Sequence, residues 1–312
     1  MSDVIYCYPK LSGYDFAFFR LGGRGLGNLL FPWARSVVAA EDEGRIPLYP
    51  TWPQLKVGPF LRGERDNRAY SDLFNKTNQY ASFREKVSSL LFWTKIPENE
   101  SKILKDHEAS KWKKYVIVFE GMTDYFKSIK KRHKLVKKNL LKITKNKHKK
   151  RNRDELSKSI CVHVRLGDFK EPDSKSDLLS GTDIYKLPMT WYKEKIENIR
   201  DEMGKCVKVN VFSGSDNREL RPILEVENTE RKFYGSSIAD LLALSNAGVL
   251  VTSSSTFSMW ASYFGRMPAI WYPTQLPHEI YYKNPHCEVQ SGEGEKLPRE
   301  FVDALRSRPL IT

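Results

Sequence analysis

The stretch from Ser237 to Pro273, "SIADLLALSNAGVLVTSSSTFSMWASYFGRMPAIWYP", decides the fold class. Its apolar spacing predicts a helix over residues 237–247 and a short buried strand over 248–254. A second helix is predicted over 256–265 and a second strand over 268–273. Strands that alternate with helices of this length form βαβ units, whose strands run parallel in one sheet. The stretch therefore predicts an α/β fold.

The same alternation extends toward the N-terminus. "SICVHVRLG" (159–167) and "VKVNVFSG" (207–214) are predicted strands, and a helix is predicted between them. In the first half, "YDFAFFRL" (14–21) is predicted as a strand that leads through a glycine loop into a helix, and "YVIVFEG" (115–121) as another strand. We expect two Rossmann-like domains that face each other across a cleft, residues 1–155 and 156–312.

The excess of positive over negative charge in the chain comes from one segment. The chain has 52 Lys and Arg against 38 Asp and Glu, and residues 127–153 hold 14 of the basic residues and no acidic one. The segment has a weak apolar stripe at near-helical spacing and no aromatic residue. It fits a solvated helix with a polar connector, or a basic amphipathic helix on an anionic membrane. Binding to nucleic acid is a third interpretation, which the missing aromatics disfavour.

Composition also excludes several protein classes. No run of eighteen apolar residues exists, and the N-terminus lacks the pattern of a secretory signal. The four cysteines have no CxxC spacing, which is typical of reduced thiols rather than of a zinc site or a disulfide framework. These features predict a cytoplasmic protein, with the basic segment as its one possible link to the inner membrane.

The loop "LGGRGLGN" (21–28) holds four glycines and opens a predicted helix. Glycines let a ligand approach the backbone closely, and the N–H groups of a helix N-terminus attract anions. The loop is neither a P-loop nor a GxGxxG fingerprint, since Asn28 stands at the third glycine position. A plain tight turn is the alternative. Pro32 is expected in the first turn of the helix.

"CVHVRLGDF" (161–169) ends a strand in a charge. The two-residue period of a strand places Val162 and Val164 on one face, and His163 and Arg165 on the other. Parallel sheets bind ligands at the carboxyl ends of their strands, where the Arg165 guanidinium could grip a phosphate. The alternative is an ion pair between Arg165 and Asp168 that closes a turn, with His163 hydrogen-bonded in the core.

Two more strand ends carry polar residues. "VFSGSDN" (211–217) ends one strand and equally fits an ordinary turn. "VTSSSTFS" (251–258) has more hydroxyls before its helix than capping requires, which indicates a second anion site. Asp240 is a first-turn helix residue that could also bind a guanine edge. The chain has no Asp-x-Asp, so a metal-held diphosphate is not indicated, and we expect neither metal nor cofactor.

In order and content, these motifs resemble glycosyltransferase family 11, the α-1,2-fucosyltransferases, and more distantly other fucosyltransferases. "GGRGLGNLLFPWA" is similar to the family's GGLGNQMFQYA, and "HVRLGDF" to HxRRxDY. "DLLALSNAGVLVTSSSTFSMWASYFG" resembles its block that ends in NSTFSWWAAWL. The resemblance implies a GT-B fold and inverting, metal-independent transfer of L-fucose from GDP-fucose to a sugar hydroxyl.

The resemblance also implies site residues. Arg165 would bind the β-phosphate and stabilise the departing GDP, and His163 and Asp240 would contact the nucleoside. The diphosphate would be held by Ser255, Thr256 and Phe257. The floor near the reacting carbon would be lined by Gly27 and Asn28.

The chain departs from the family at several positions, which leaves the sugar and the acceptor open. Leu166 replaces the second arginine of HxRRxD, and Met259 replaces a tryptophan. Asp168 and Asp15 are candidates for the general base. The expected partners are a GDP-sugar donor and an oligosaccharide or lipid-linked glycan acceptor in surface polysaccharide synthesis. The alternatives are a non-catalytic binder of nucleic acid or anionic polymer, and an inactive nucleotide-sugar-binding relative.

Overall fold

The structure is a computed structural model. It describes residues 4–56, 58, 68–105, 114–149, 153–167, 169–180, 185–276, 280 and 288–307. The chain divides into two compact units. The N-terminal unit comprises residues 1–63 and 67–146, and the C-terminal unit comprises residues 64–66 and 147–312. The boundary thus falls before residue 147 rather than after residue 155. A hydrogen bond explains the shift, because the buried His148 ring lies 2.8 Å from the Ser236 hydroxyl and ties this segment to the C-terminal unit.

The α/β class is confirmed by the order of the elements. The strands of the described chain are β1 Ile5–Lys10, β2 Tyr14–Asp15, β3 Arg20–Leu21, β4 Ile46–Pro47, β5 Gln54–Leu55, β6 Thr94–Pro97, β7 Tyr115–Glu120, β8 Ile160–Val164, β9 Val209–Ser213, β10 Thr229–Lys232, β11 Val249–Val251, β12 Ala269–Trp271 and β13 Glu288–Gln290. The α-helices are α1 Leu26–Asp42, α2 Phe83–Phe92, α3 His133–Ile143, α4 Arg153–Ser157, α5 Lys175–Ser180, α6 Met189–Met203, α7 Asn217–Leu224, α8 Ser237–Leu244, α9 Thr256–Gly265 and α10 Arg299–Arg306. Short 3₁₀ helices cover Glu98–Lys105, Lys130–Arg132 and Asn146–His148.

The N-terminal unit contains a parallel sheet in the order β4-β1-β7-β6 and a separate small sheet in the order β2-β3-β5. The predicted strand over residues 14–21 is wrong in detail. The chain forms β2 and β3, which pair antiparallel around a turn in which Phe16 N–H donates to the Phe19 carbonyl at 2.9 Å. Four of the eight residues in this stretch are aromatic and spread along it, so its pattern gave no sign of the turn.

Helix α1 begins earlier than predicted, at Leu26, so that residues 21–25 remain as the glycine loop. Gly25 is its N-cap residue and makes no side-chain cap. The prediction that Pro32 lies in the first turn is therefore wrong, because Pro32 lies inside the helix. It has no N–H to donate to the carbonyl of Asn28, one turn earlier. The helix is buried along most of its length, because it packs against β1, β7 and α3.

The basic segment folds into the N-terminal unit through α3. The apolar stripe predicted there is present, but Ile129, Val136, Leu140 and Ile143 are fully buried, and α3 packs against α1. Lysines occupy the outer face of the helix. The interpretation as a membrane-lying amphipathic helix requires that stripe at the surface, so the structure contradicts it in this form.

The C-terminal unit is built on one sheet in the order β10-β9-β8-β11-β12-β13, in which neighbouring strands pair in parallel. Its central strand β8 is buried throughout. One large apolar cluster covers a face of the sheet, with Trp191 and Ile196 of α6 and Phe301 of α10 fully buried in it. In the part of the chain that the structure describes, no helix is both long and apolar enough to cross a membrane.

Gly265 provides a test of the helix packing in this unit. A Cβ at this position would lie 2.5 Å from the Ser245 carbonyl oxygen and 2.5 Å from Met267 Cε. We expect Gly265→Ala to lower the free energy of unfolding by about 1–3 kcal/mol, the usual cost of overpacking. Gly13→Ala is the matched control, because nothing lies within 4 Å of its added Cβ. Urea unfolding midpoints measure both, and equal midpoints would contradict the close packing.

Candidate functional site

The candidate site lies at the carboxyl edge of the C-terminal sheet. From β8 the chain adds β9 and β10 on one side and then β11, β12 and β13 on the other. The order of the strands therefore reverses between β8 and β11. Open α/β sheets bind ligands outside the carboxyl ends of their strands at such a switch point. His163 and Arg165 come from β8, and the serine-rich turn follows β11, so the topology brings two of the predicted motifs together.

A buried histidine joins the two motifs. The His163 ring is 6% exposed, and its Nδ1 lies 2.7 Å from the Ser258 hydroxyl and 3.0 Å from the Ser253 hydroxyl. The Ser255 hydroxyl lies 3.4 Å away. The ring also packs against Phe257, with 5.0 Å between the centroids. His163 thus positions the turn before α9 through its hydrogen bonds and its contact with Phe257. This role is additional to any contact with a ligand.

The environment of His163 keeps it neutral. Burial, and secondarily the nearby charge of Arg165, lower the pKa of His163 from 6.5 to about 3. A buried imidazolium would lose its hydration and would meet a like charge, which explains the direction. The ring is therefore a hydrogen-bonding group, and not a cation, at physiological pH.

The serine hydroxyls have partners within the protein. Ser255 is the N-cap of α9 and accepts the Ser258 N–H at 3.4 Å, and Ser254 donates to the Tyr185 carbonyl at 3.3 Å. Both are nearly buried, whereas Thr256 and Phe257 are half-buried at the start of α9. The excess of hydroxyls over capping needs is thus explained in part by His163. Thr256 and Phe257 stand at the N–H end of α9, and such helix ends attract anions.

Arg165 follows β8 and is half-buried. Its guanidinium lies 5.6 Å from the centroid of the Phe169 ring, and it is within 3.9 Å of the position that a Cβ on Gly167 would take. An aromatic face near a guanidinium is a stabilising arrangement that also limits where the cation can point. The alternative partner, Asp168, lies outside the described residues, so the predicted ion pair stays untested.

Leu166, where the family has a second arginine, belongs to the core. It is 5% exposed and lies in the apolar cluster that also contains Val162 and Val164. The three residues continue one face of β8 at two-residue spacing. An arginine here would leave its charge among apolar side chains, so the departure follows from the packing of this chain.

Asp240 lies in the first turn of α8, which follows β10. Its Oδ1 accepts the Tyr234 N–H at 2.7 Å, and the Ser236 N-cap hydroxyl accepts the Ala239 N–H at 3.4 Å. The carboxylate therefore holds the chain that leaves β10, which is a structural role. It also sits at the same carboxyl edge as the other motifs, where the predicted contact to a guanine stays a prediction.

The glycine loop belongs to the N-terminal unit and rests on a buried guanidinium. Arg20 is fully buried and donates to the Gly22 carbonyl at 3.1 Å. A Cβ on Gly23, whose φ is +117°, would lie 2.3 Å from Arg20 Nη1. The loop thus needs glycine at this position. Gly27 and Asn28 lie in the first turn of α1, which directly follows the loop.

Asp15, a candidate base, is already engaged. Its Oδ2 accepts a hydrogen bond from the Tyr8 hydroxyl, and its Oδ1 accepts the Ala17 N–H at 3.0 Å. Burial and the Asp15 charge raise the pKa of Tyr8, which keeps this tyrosine a donor. Asp15 consequently supports the small sheet, and a second role as a base has no support from these contacts.

Two side chains that the sequence patterns did not single out have roles in the structure, one in each unit. Ser258 of the C-terminal unit bonds to His163 across 95 residues of chain, although its position three residues after the Ser255 N-cap is a local signal. Arg20 of the N-terminal unit supports the glycine loop, and nothing in its predicted strand indicates this role. Among the described residues, no group of three or more His, Cys, Asp and Glu is arranged to hold a metal ion. Metal independence stays a prediction.

A buried neutral histidine predicts acid sensitivity. Below about pH 6.5 the unfolded chain binds a proton at residue 163 that the folded chain refuses until about pH 3, so stability falls as the pH drops through this window. At about pH 5 the loss is about 2 kcal/mol. We expect His163→Asn to lose less stability than the parent between neutral pH and about pH 5, as measured by urea unfolding. Equal losses in both proteins would contradict the neutral ring.

Replacing Leu166 with the arginine that the family has at this position should destabilise the protein. We expect Leu166→Arg to destabilise the C-terminal unit by about 3 kcal/mol or more, because it buries an unpaired charge. Leu166→Met keeps the volume and should cost under about 1.5 kcal/mol. Both are measured by urea unfolding. If the arginine variant is as stable as the methionine variant, the side chain at position 166 can reach solvent.

Several solved structures are similar to this chain in fold. The crystal structure of the α-1,6-fucosyltransferase NodZ soaked with GDP-fucose has 14% sequence identity, covers 87% of this chain and 95% of that chain, and superimposes with a TM-score of 0.50. A selenomethionine structure of NodZ from Bradyrhizobium has 11% identity, coverages of 87% and 95%, and a TM-score of 0.49. For POFUT1 in complex with GDP the values are 11%, 85% and 96%, and 0.46.

The first of these likenesses shows the fold, which is GT-B as predicted. A search of curated protein sequences gave no match. The family model described as glycosyl transferase family 11 matches residues 73–272, which is more than half of the chain and includes both β8 and the serine-rich turn. The chain therefore belongs to glycosyl transferase family 11.

Proposed function

We propose that this glycosyltransferase moves L-fucose, or a related sugar, from a GDP-sugar to a hydroxyl of a glycan acceptor, with inversion and without metal. The observation that carries the proposal is the bond between His163, two residues before Arg165, and the serine-rich turn at the switch point of the C-terminal sheet. A cation and a helix N-terminus side by side suit a diphosphate. Family membership, and the GDP-fucose soaked into NodZ, support the choice of donor.

In this proposal, Arg165 binds the β-phosphate and stabilises the charge that grows on the departing GDP. A guanidinium positioned before the reaction stabilises such charge without reorganisation cost. Thr256 and Phe257 hold the diphosphate at the start of α9, and Ser255 fixes that helix end through its cap. His163 acts as a positioning residue that packs against Phe257, and its burial keeps the ring neutral.

The remaining roles are carried over from the resemblance. Asp240 contacts the guanine, with its orientation fixed by the bond from Tyr234 N–H. Gly27 and Asn28 contribute near the reacting carbon. Further proposals are α-1,2 linkage, an oligosaccharide or lipid-linked acceptor, a role in surface polysaccharide synthesis and a cytoplasmic location.

A nucleotide panel tests the proposal. With EDTA present, we expect GDP and GDP-fucose to raise the melting temperature, and UDP- and dTDP-sugars to leave it unchanged. Arg165→Ala should lose most of the shift and lower donor turnover by about 100- to 1,000-fold, the usual effect of removing one such stabilising group. Arg299→Ala, at the exposed start of α10, removes the same charge elsewhere and should behave like the parent.

Three outcomes would contradict the proposal. Stabilisation only by UDP-sugars with a divalent metal would change the donor and the mechanism. GDP binding without any hydrolysis or transfer across an acceptor panel would indicate an inactive relative. Salt-sensitive binding to nucleic acid with no response to nucleotides would indicate the polyanion-binding alternative.

A further inference from the structure

In the small sheet of the N-terminal unit, the exposed row of side chains is apolar and the buried row is polar. Residues that pair directly across neighbouring strands lie on the same face of a sheet. Tyr14 pairs with Leu21, and Leu21 pairs with Leu55, so these three form one row. They are 71%, 42% and 62% exposed. The apolar row of this sheet therefore faces outward.

The opposite row is polar and faces inward. Asp15 pairs with Arg20, and Arg20 pairs with Gln54. Arg20 is fully buried and Gln54 is 3% exposed. A shift of one residue in register would exchange the two rows, so this orientation must be held by specific contacts. Arg20 Nε donates to the Thr51 carbonyl at 3.0 Å, and Lys86, also buried, donates to the Ala17 carbonyl at 2.6 Å.

The outward face is enlarged by the turn between β2 and β3. Phe16 is 48% exposed and Phe18 is 62% exposed, and both rings pack against Phe19, at 5.0 Å and 4.9 Å between centroids. We name Tyr14, Phe16, Phe18, Leu21 and Leu55 the apolar face. Exposed apolar side chains gathered on one sheet face and its connecting turn are typical of a binding surface.

Two basic residues stand beside the apolar face in the part of the chain that the structure describes. Arg24 is exposed three residues after Leu21, whereas Lys56, which follows Leu55, is half-buried and donates to the Gly23 carbonyl at 2.8 Å. Asp15, the acid of the small sheet, lies in the inward row and accepts bonds from Tyr8 and Ala17. Through Arg24, the rim therefore presents a positive charge that is complementary to anions.

We propose that the apolar face inserts into the headgroup region of a bilayer that contains anionic lipid. Aromatic and leucine side chains with a basic rim suit this boundary, where the apolar groups enter the acyl edge and the cations meet the headgroups. Five side chains are far fewer than the roughly 20–30 residues a side of a stable protein interface, which disfavours a second copy as occupant. The exposed leucines disfavour a sugar, which needs hydrogen-bonding partners.

Insertion of the apolar face does not involve the donor sugar. It also does not involve the apolar stripe of α3, which is buried. The lysines on α3 can still add long-range attraction, which salt would screen. Insertion, in contrast, should persist in part at high salt, because it rests on the burial of apolar area.

Vesicle flotation tests the proposal. We expect the full chain to float with phosphatidylcholine vesicles that contain phosphatidylglycerol, and more weakly with phosphatidylcholine alone. Phe18→Ser with Leu55→Ser should reduce the bound fraction by about tenfold or more, since two apolar side chains are removed from the contact. The matched control is Leu91→Ser with Phe92→Ser on α2, which are 68% and 81% exposed. It should leave binding unchanged.

Each other result overturns the proposal. If the parent does not float with either vesicle, or if the α2 control loses binding as strongly, the apolar face is not a membrane contact. If light scattering shows a dimer that the Phe18/Leu55 variant dissociates, a second copy covers the face. If the variant loses only transfer to glycan acceptors, with GDP binding retained, the face binds sugar. Melting temperatures confirm that both variants fold.

Discussion

The hydrogen bonds of one neutral imidazole organise the carboxyl edge of the C-terminal sheet. His163 stands on β8, and its Nδ1 reaches the hydroxyls of Ser253 and Ser258 on the far side of the switch point. These bonds fix the N-terminal end of α9 relative to the strand that carries Arg165. A charged ring could not take this place without losing its hydration. The position of the proposed diphosphate site therefore depends on a group that is itself excluded from solvent.

The sequence predicted the central elements of this unit because they are buried on both sides. Strands β8, β9, β11 and β12 are apolar runs, and α9 carries the spacing of a buried helix. The edges gave no such signal. Strand β10, "TERK", is half-buried at every position and pairs with one neighbour, so nothing in its composition separates it from a loop. Edge strands are held by pairing, which a single sequence does not display.

The sequence indicated where the residues of the candidate site lie in the fold, but not which contacts they make. Arg165, Thr256 and Asp240 all lie after parallel strands, as the alternation of elements indicated. The direction of the serine hydroxyls depends on a partner 95 residues away, which local patterns cannot supply. The small sheet shows a different failure. Pattern reasoning assumes that apolar residues face inward, and there Arg20 and Gln54 occupy the buried row.

Leu166 shows how the core constrains the chemistry available at the edge. Val162, Val164 and Leu166 share one face of β8, and that face is committed to the apolar cluster. His163 is neutral, so it supplies no positive charge either. In the proposed reaction, the charge of the departing diphosphate falls to Arg165 and to the end of α9, whose N–H groups act as roughly half a positive charge. Because a helix terminus acts only within its first turn, the bonds from His163 that position this end matter more here than in a site with two arginines. Packing on one face of a strand thus determines how much the hydrogen bonds on the other face must contribute.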